Sequence, residues 1–146
     1  MSDFSNLFDL TGKTVVITGA AGLQGQRISR GLAAHGADIA AVDITSDGLE
    51  DLTREIRQEY GVKSHSFKCD VSQKESVVEM TSRVLEAFGS IQVLHNNAAG
   101  KTANIADFFT PFEDFSYEVW QEIMNVNIGG MFLVAQAIGK HMAQQE

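Results

Sequence analysis

Three evenly spaced glycines follow a short apolar run near the start of the chain. Val15-Val16-Ile17 leads into Thr18-Gly19-Ala20-Ala21-Gly22-Leu23-Gln24-Gly25, the order of a strand, a glycine turn and a helix start. Glycines let a backbone approach a ligand closely, and the N–H groups at a helix start bind negative charge. The segment predicts a dinucleotide pyrophosphate site, and a strand-turn-helix without a ligand is the alternative. The candidate residues are Gly19, Gly22, Leu23, Gln24 and Gly25.

An acidic residue ends the next apolar segment. Residues 38–42 have the pattern of a second strand, and Asp43 and Ile44 follow it. An acid roughly 20 residues beyond a glycine turn binds the adenosine ribose hydroxyls and repels a 2′-phosphate. Asp43 therefore favours NAD over NADP as the cofactor. In the alternative interpretation, Asp43 only caps the turn into the following helix.

Strand and helix patterns alternate along the chain. The predicted strands are 13–18, 38–42, 64–69 and 91–95. The first two predicted helices are 23–35 and 48–60. A third helix runs from the capping box Ser72-Gln73-Lys74-Glu75 to residue 88, and a long last helix begins at Ser116. This order predicts an α/β fold, a doubly wound parallel sheet of the Rossmann type with right-handed crossovers. Such sheets bind ligands beyond the carboxyl ends of their strands.

An apolar loop of nearly twenty residues precedes the last helix. It runs over 97–115, and its aromatic residues are Phe108, Phe109, Phe112 and Phe115. Loops of this length are usually functional or disordered, and the apolar content argues against disorder. We expect an apolar substrate mouth or lid. The alternative is that the rings pin the loop to the core or to a second subunit.

One apolar stripe is predicted along the last helix. Its members are Trp120, Ile123, Met124, Ile128, Met131, Ala135, Ile138 and Met142. Asn127 is a polar residue on this stripe, and a buried amide must find hydrogen-bond partners. A functional amide and a satisfied core amide are the two interpretations.

Composition narrows the class of protein. The 146 residues suit one domain, and the net charge of −8 comes without a cluster of Lys and Arg, so we expect no nucleic-acid partner. Cys69 is the only cysteine, so no intrachain disulfide forms, and we expect a small buried hydrophobe there. No apolar run approaches the ~18 residues of a membrane span. We expect a cytoplasmic protein without a metal site.

Three further segments make the resemblance to a known family specific. Each of them follows a predicted strand or lies in the last helix. They are Asp70-Val71, Asn96-Asn97-Ala98-Ala99-Gly100 and Asn125-Val126-Asn127-Ile128-Gly129-Gly130. Together with the glycine turn, and in this order, they resemble the short-chain dehydrogenase/reductase family over almost the whole chain. The resemblance implies an oxidoreductase that interconverts an alcohol and a ketone with NAD(P), and a homo-oligomer.

The resemblance also implies roles for individual residues. Asp70 and Val71 would meet the adenine, while Asn97, Ala98, Ala99 and Gly100 would line the cofactor. Asn127 matches the catalytic asparagine, which holds a helix distortion and a water of the proton relay.

Two features depart from the family pattern. Leu23 stands where the compact branch of the family has glycine. The resulting spacing of Gly19, Gly22 and Gly25 is also used by the extended branch of the family. The segment at 96–100 is one residue longer than the usual Asn-Asn-Ala-Gly.

The family's chemistry also needs a serine and a tyrosine with a lysine four residues later. This chain has two tyrosines; Tyr60 has Ser64 at that position and Tyr117 has Gln121. We therefore expect residues 1–146 to be the N-terminal cofactor-binding part, without the C-terminal serine and Tyr-x-x-x-Lys part and inactive alone. It would associate with itself or with the missing half. A non-catalytic dinucleotide-binding module and one half of a split enzyme are the alternatives.

Overall fold

Four strands and six helices make up the fold in the computed structural model, which describes residues 7–102 and 104–145. The strands are β1 (Thr14–Thr18), β2 (Asp38–Asp43), β3 (Ser64–Lys68) and β4 (Val93–His95). The helices are α1 (Leu23–Ala34), α2 (Leu49–Tyr60), α3 (Lys74–Phe88), α4 (Ile105–Phe108), α5 (Tyr117–Met124) and α6 (Met131–Met142). A 3-10 turn at Phe112–Asp114 precedes α5, and a π-helical turn at Asn125–Gly130 joins α5 to α6.

The four strands form one parallel sheet in the order β3-β2-β1-β4. Val15 of β1 pairs with Ile39 of β2 on one side and with Val93 of β4 on the other. The chain therefore runs outward from β1 to β3 and then returns to the opposite side of β1. Doubly wound sheets bind ligands at this reversal of strand order. The predicted Rossmann-type sheet is confirmed.

Helices cover both faces of the sheet. Successive strand residues point to opposite faces, so Val15 and Ile17 of β1 pack in a core with α1 and α2, and Val16 packs in a second core with α3 and α6. All three side chains are fully buried. Burial on both faces explains why these strands read as continuous apolar runs.

The predicted capping box at the start of α3 does not form. The N–H and the hydroxyl of Ser72 both donate to Asp70 Oδ1, at 3.0 and 2.7 Å, and α3 begins at Lys74 without a side-chain cap. The Asp70 carboxylate accepts charge-assisted hydrogen bonds, which are stronger than those to a neutral acceptor. Ser72 is therefore engaged at the end of β3 and not at the helix.

The predicted last helix is interrupted by the π-helical turn. Such a turn inserts a residue into the α-helical repeat, so it rotates the stripe that follows. Ile123 and Ile138 are buried as predicted, and Val134, outside the predicted stripe, is fully buried. The predicted stripe is therefore not continuous, and its members Trp120, Ile128 and Met131 are exposed. We call the exposed apolar residues of this region the α5–α6 surface: Tyr117, Trp120, Ile128, Met131 and Phe132.

The aromatic loop contains α4 and the 3-10 turn. The Phe108 and Phe109 rings meet edge to face at 5.4 Å between centroids. Phe112 is 93% exposed, so this ring is not pinned to the core. Across the two described ranges, the structure contains no helix with the length and apolar character to cross a membrane.

Candidate cofactor site

Two of the three turn glycines are required by the close packing around them. Gly19 has φ of +68°, and a Cβ there would lie 2.9 Å from Ala98 Cα. A Cβ on Gly25 would lie 2.2 Å from the Gly19 carbonyl oxygen, because α1 begins directly against the turn. Gly22 is different, since its Cβ would come no closer than 3.4 Å to a neighbour. The fold therefore leaves space beside Gly22 into which a ligand can enter.

The start of α1 is open to an anion. Its N-cap Gly22 makes no side-chain capping bond, and its first turn contains no acidic residue. The first turns of α2, α3 and α5 all contain an acid. The first N–H groups of a helix have no partner within it, and the dipole there is positive. Leu23 and Gln24 form this turn, with side chains exposed to solvent.

A cleft of about 580 Å³ lies at the carboxyl ends of the strands. The predicted site residues that line it are Gly19, Gly22, Asp43, Ile44, Asp70, Val71, Ala98, Ala99 and Gly100. The structure adds lining residues that the sequence analysis did not identify: Ala21, Thr45, Asp47, Cys69, Lys101 and Val126. Most of them are direct neighbours of predicted residues, so their position just after a strand was the available signal.

The remaining predicted residues lie outside the lining. They are Leu23, Gln24, Gly25, Asn97 and Asn127. Asn97 Nδ2 donates to the carbonyl oxygens of Thr18 and Gly19, at 3.0 and 3.2 Å. Thr18 Oγ1 accepts the N–H groups of Asn97 and Ala98, both at 3.0 Å. Asn97 therefore ties the segment after β4 to the glycine turn.

Asn127 lies in the π-helical turn and is joined to Gly100. Its Oδ1 accepts the Gly100 N–H at 2.7 Å, and its Nδ2 donates to the Gly100 carbonyl at 3.3 Å. Both ends of the amide are thus satisfied by one residue of the cleft wall. This geometry gives Asn127 a structural role, and its part in a proton relay stays a prediction.

Removing the Asn127 amide is expected to loosen the cleft wall. In Asn127→Ala the Gly100 N–H and carbonyl lose their partners, and each typical hydrogen bond contributes about 0.5–1.5 kcal/mol. We expect faster hydrogen exchange of the Gly100 amide and a lower free energy of unfolding. Asn125→Ala is the control, because Asn125 is exposed on the same turn and its side chain makes no hydrogen bond to residues 7–102 or 104–145. Equal exchange in the two variants would contradict this role.

Asp43 joins the end of β2 to the glycine turn. Its Oδ2 accepts the Ala21 N–H at 3.0 Å, and its Oδ1 accepts the Thr45 N–H at 3.2 Å. The bond to Thr45 is the turn cap of the alternative interpretation. Each carboxylate oxygen has a further lone pair, so the cap leaves Asp43 able to accept ribose hydroxyls.

Cys69 forms an apolar part of the cleft wall. It is 2% exposed, and burial raises the pKa of its thiol, an effect that the Ser76 hydroxyl at 3.6 Å partly opposes. The thiol is therefore protonated at neutral pH, which is the state of a structural cysteine rather than a nucleophile. Within 7–102 and 104–145, no three His, Cys, Asp or Glu side chains form a group that could hold a metal ion.

Comparison with known proteins agrees with this architecture. Residues 13–146 match the family described as short chain dehydrogenase. The chain belongs to that family. It carries the NAD(P)-binding Rossmann fold of this family of oxidoreductases.

Three proteins illustrate how similar this chain is to known dehydrogenases. The chain is 32% identical to the NADP-dependent mannitol dehydrogenase of Alternaria alternata, over 99% of this chain and 53% of that protein. It is 36% identical to the D-threitol dehydrogenase of Mycolicibacterium smegmatis, over 94% and 50% of the two proteins. The structure of NAD⁺-bound xylitol dehydrogenase superimposes with a TM-score of 0.85 at 32% identity, over 93% of this chain and 50% of that one. The chain spans about half the length of the curated relatives that it matches.

Proposed function

We propose that the protein is an NAD-dependent oxidoreductase that interconverts an alcohol and a ketone, and that residues 1–146 form its N-terminal cofactor-binding part. One observation carries the proposal: the cleft joins an uncapped, acid-free helix start to a carboxylate at the end of β2. A bound nicotinamide supplies or accepts the hydride in such reactions. The names of the relatives favour polyols and the corresponding ketones as the first substrates to test.

The residues of the chain divide the binding task between them. The open N–H groups at the start of α1 bind the pyrophosphate beside Gly22. Asp43 accepts the adenosine ribose hydroxyls, and Asp70 with Val71 forms the adenine end of the cleft. The segment 98–100 lines the nicotinamide end, where the Asn127 amide holds Gly100 in place.

Titration with reduced cofactor tests this proposal. We expect the chain to bind NADH, to bind NADPH more weakly, and to quench or shift the nicotinamide fluorescence on binding. A chain that is folded by circular dichroism and binds neither dinucleotide would contradict the proposal.

Asp43 is the proposed source of the NAD preference. A 2′-phosphate would be repelled by its carboxylate, and Asp47 on the same side of the cleft adds a second negative charge. In Asp43→Asn the amide oxygen still accepts the Ala21 N–H while the charge is lost. Asp43→Ala loses both the charge and the acceptor of the Ala21 N–H.

We expect both Asp43 variants to bind NADH about tenfold or more weakly, since hydrogen bonds to a charged group contribute about 1.5–3 kcal/mol. Both should also show a smaller difference between NADH and NADPH. Asp43→Ala should also lower the thermal stability more than Asp43→Asn, because alanine loses the bonds to both Ala21 and Thr45 whereas the single amide oxygen keeps one of them. Equilibrium titrations and thermal melts measure these effects. An unchanged ratio of NADH to NADPH affinity in Asp43→Asn would remove the assignment.

A second candidate is a non-catalytic dinucleotide-binding module, or one half of a split enzyme. It is favoured by the two tyrosines, which end α2 and begin α5 and do not line the cleft. Neither has a lysine four residues later. A folded chain that binds NADH but reduces no member of a panel of ketones would support this candidate or the need for a further segment. Turnover by the chain alone would exclude both.

We also propose that the aromatic loop acts as an apolar mouth for the substrate. Phe109 and Phe112 are exposed, and no ring of this loop lines the cleft in the described structure.

The α5–α6 surface is the proposed contact with a second copy or with a C-terminal half.

A further inference from the structure

Lys101 is the one cationic side chain among the described residues that line the cleft. The charged side chains beside it in the lining are all carboxylates: Asp43, Asp47 and Asp70. Lys101 is exposed, and it takes part in neither of the two ion pairs found among residues 7–102 and 104–145. Lys101 thus lines the cleft without a carboxylate within salt-bridge distance in the described part of the chain.

Two of the cleft acids are already occupied by local groups. Asp43 accepts the N–H groups of Ala21 and Thr45, and Asp70 accepts the N–H and hydroxyl of Ser72. These bonds hold both carboxylates at the ends of β2 and β3. Because Lys101, which follows β4, is in neither ion pair of the described residues, its positive charge is available to a ligand.

The two chain neighbours of Lys101 are each held by a hydrogen bond. The Gly100 N–H is bound by Asn127, and Thr102 is 7% exposed with its hydroxyl donating to the Asn104 carbonyl. The strand order places β4 and β2 on opposite sides of β1. Lys101 consequently belongs to the β4 side of the glycine turn, whereas Asp43 belongs to the β2 side. A fixed backbone lowers the entropy cost of holding the long side chain on a ligand.

We propose that Lys101 binds the pyrophosphate of the dinucleotide from the β4 side of the glycine turn. This inference rests on the proposed cofactor function. The helix start of α1 offers N–H groups to the same anion, and a lysine ammonium adds a charge-assisted hydrogen bond. Without this cation, a negatively charged ligand would enter a cleft whose other charged side chains are carboxylates.

The test compares ligands with and without phosphate. NADH, ADP and adenosine are titrated calorimetrically into the full chain and into Lys101→Met, Lys101→Arg and Lys140→Met. Lys140 is the matched control, because it is exposed in the last turn of α6 and does not line the cleft. We expect Lys101→Met to bind NADH and ADP about two- to fivefold more weakly, the range for an exposed ionic contact.

Adenosine affinity should be unchanged in every variant, and Lys101→Arg should retain most of the ADP affinity. Higher salt should weaken ADP binding to the unsubstituted chain more than to Lys101→Met. Unchanged ADP affinity in Lys101→Met, an equal loss for adenosine, or a loss for NADH alone would each overturn the inference. If the unsubstituted chain binds neither NADH nor ADP, the cofactor site itself fails, and this result is distinct from normal binding that ignores Lys101.

Discussion

Gly19→Val is expected to reduce NADH affinity by at least about 100-fold, the largest effect of any single substitution in the cleft. A valine at φ of +68° is strained, and its Cβ would lie 2.9 Å from Ala98 Cα. The segment after β4 would have to move away from the turn. That movement would break the bonds that Thr18 accepts from this segment and would disturb the phosphate approach at the same time.

Gly12→Val is the control that distinguishes the effect of backbone strain from the loss of the cofactor site. Gly12 has φ of +74°, almost the same as Gly19, but a Cβ there would meet no atom within 4 Å. Both variants should lose about 1–3 kcal/mol of stability from the strained conformation. Only Gly19→Val should lose cofactor binding, measured by NADH fluorescence on protein shown to be folded. A folded Gly19→Val protein with intact NADH affinity would disprove the phosphate site.

The parts of the fold that the sequence predicted are those governed by short-range patterns. Val15, Val16 and Ile17 form a continuous apolar run because both faces of β1 are covered, and the glycines that follow mark the turn by their type alone. The carboxyl ends of parallel strands share one edge, so Asp43 and Asp70 could be placed at the same cleft before any coordinates.

The parts that the sequence did not predict depend on competing or long-range contacts. The family resemblance implied a helix distortion at Asn127, but the apolar stripe alone reads as one uninterrupted helix, and only the structure shows that the π-helical turn brings Asn127 to Gly100, 27 positions earlier. Ser72 has the spacing of a helix cap, but the carboxylate of Asp70 competes for its hydroxyl. Lys101 belongs to no motif, and its only signal in the sequence is its position next to Gly100.

The α5–α6 surface leads to the second large effect that we expect, which concerns self-association. Ile128 and Phe132 are each 61% exposed and lie one helical turn apart, near the exposed Trp120 in sequence. Exposed apolar side chains at such density mark an interaction surface. β4 also pairs only with β1 in the described sheet, so its other edge is free to contact another segment. We therefore expect the isolated chain to form dimers or larger species in light scattering.

Phe132→Glu is expected to weaken that association by at least about tenfold, because burying a phenylalanine contributes about 1.5–3 kcal/mol. The glutamate would also place a charge in the contact of a protein whose net charge is already −8. Gln58→Glu adds the same charge at an exposed position of α2, on the opposite face of the sheet, and should leave the association nearly unchanged. Sedimentation equilibrium over a range of concentrations measures both constants. Equal weakening by the two substitutions would attribute the effect to net charge, and a monodisperse monomer before substitution would show that this surface does not bind a second copy.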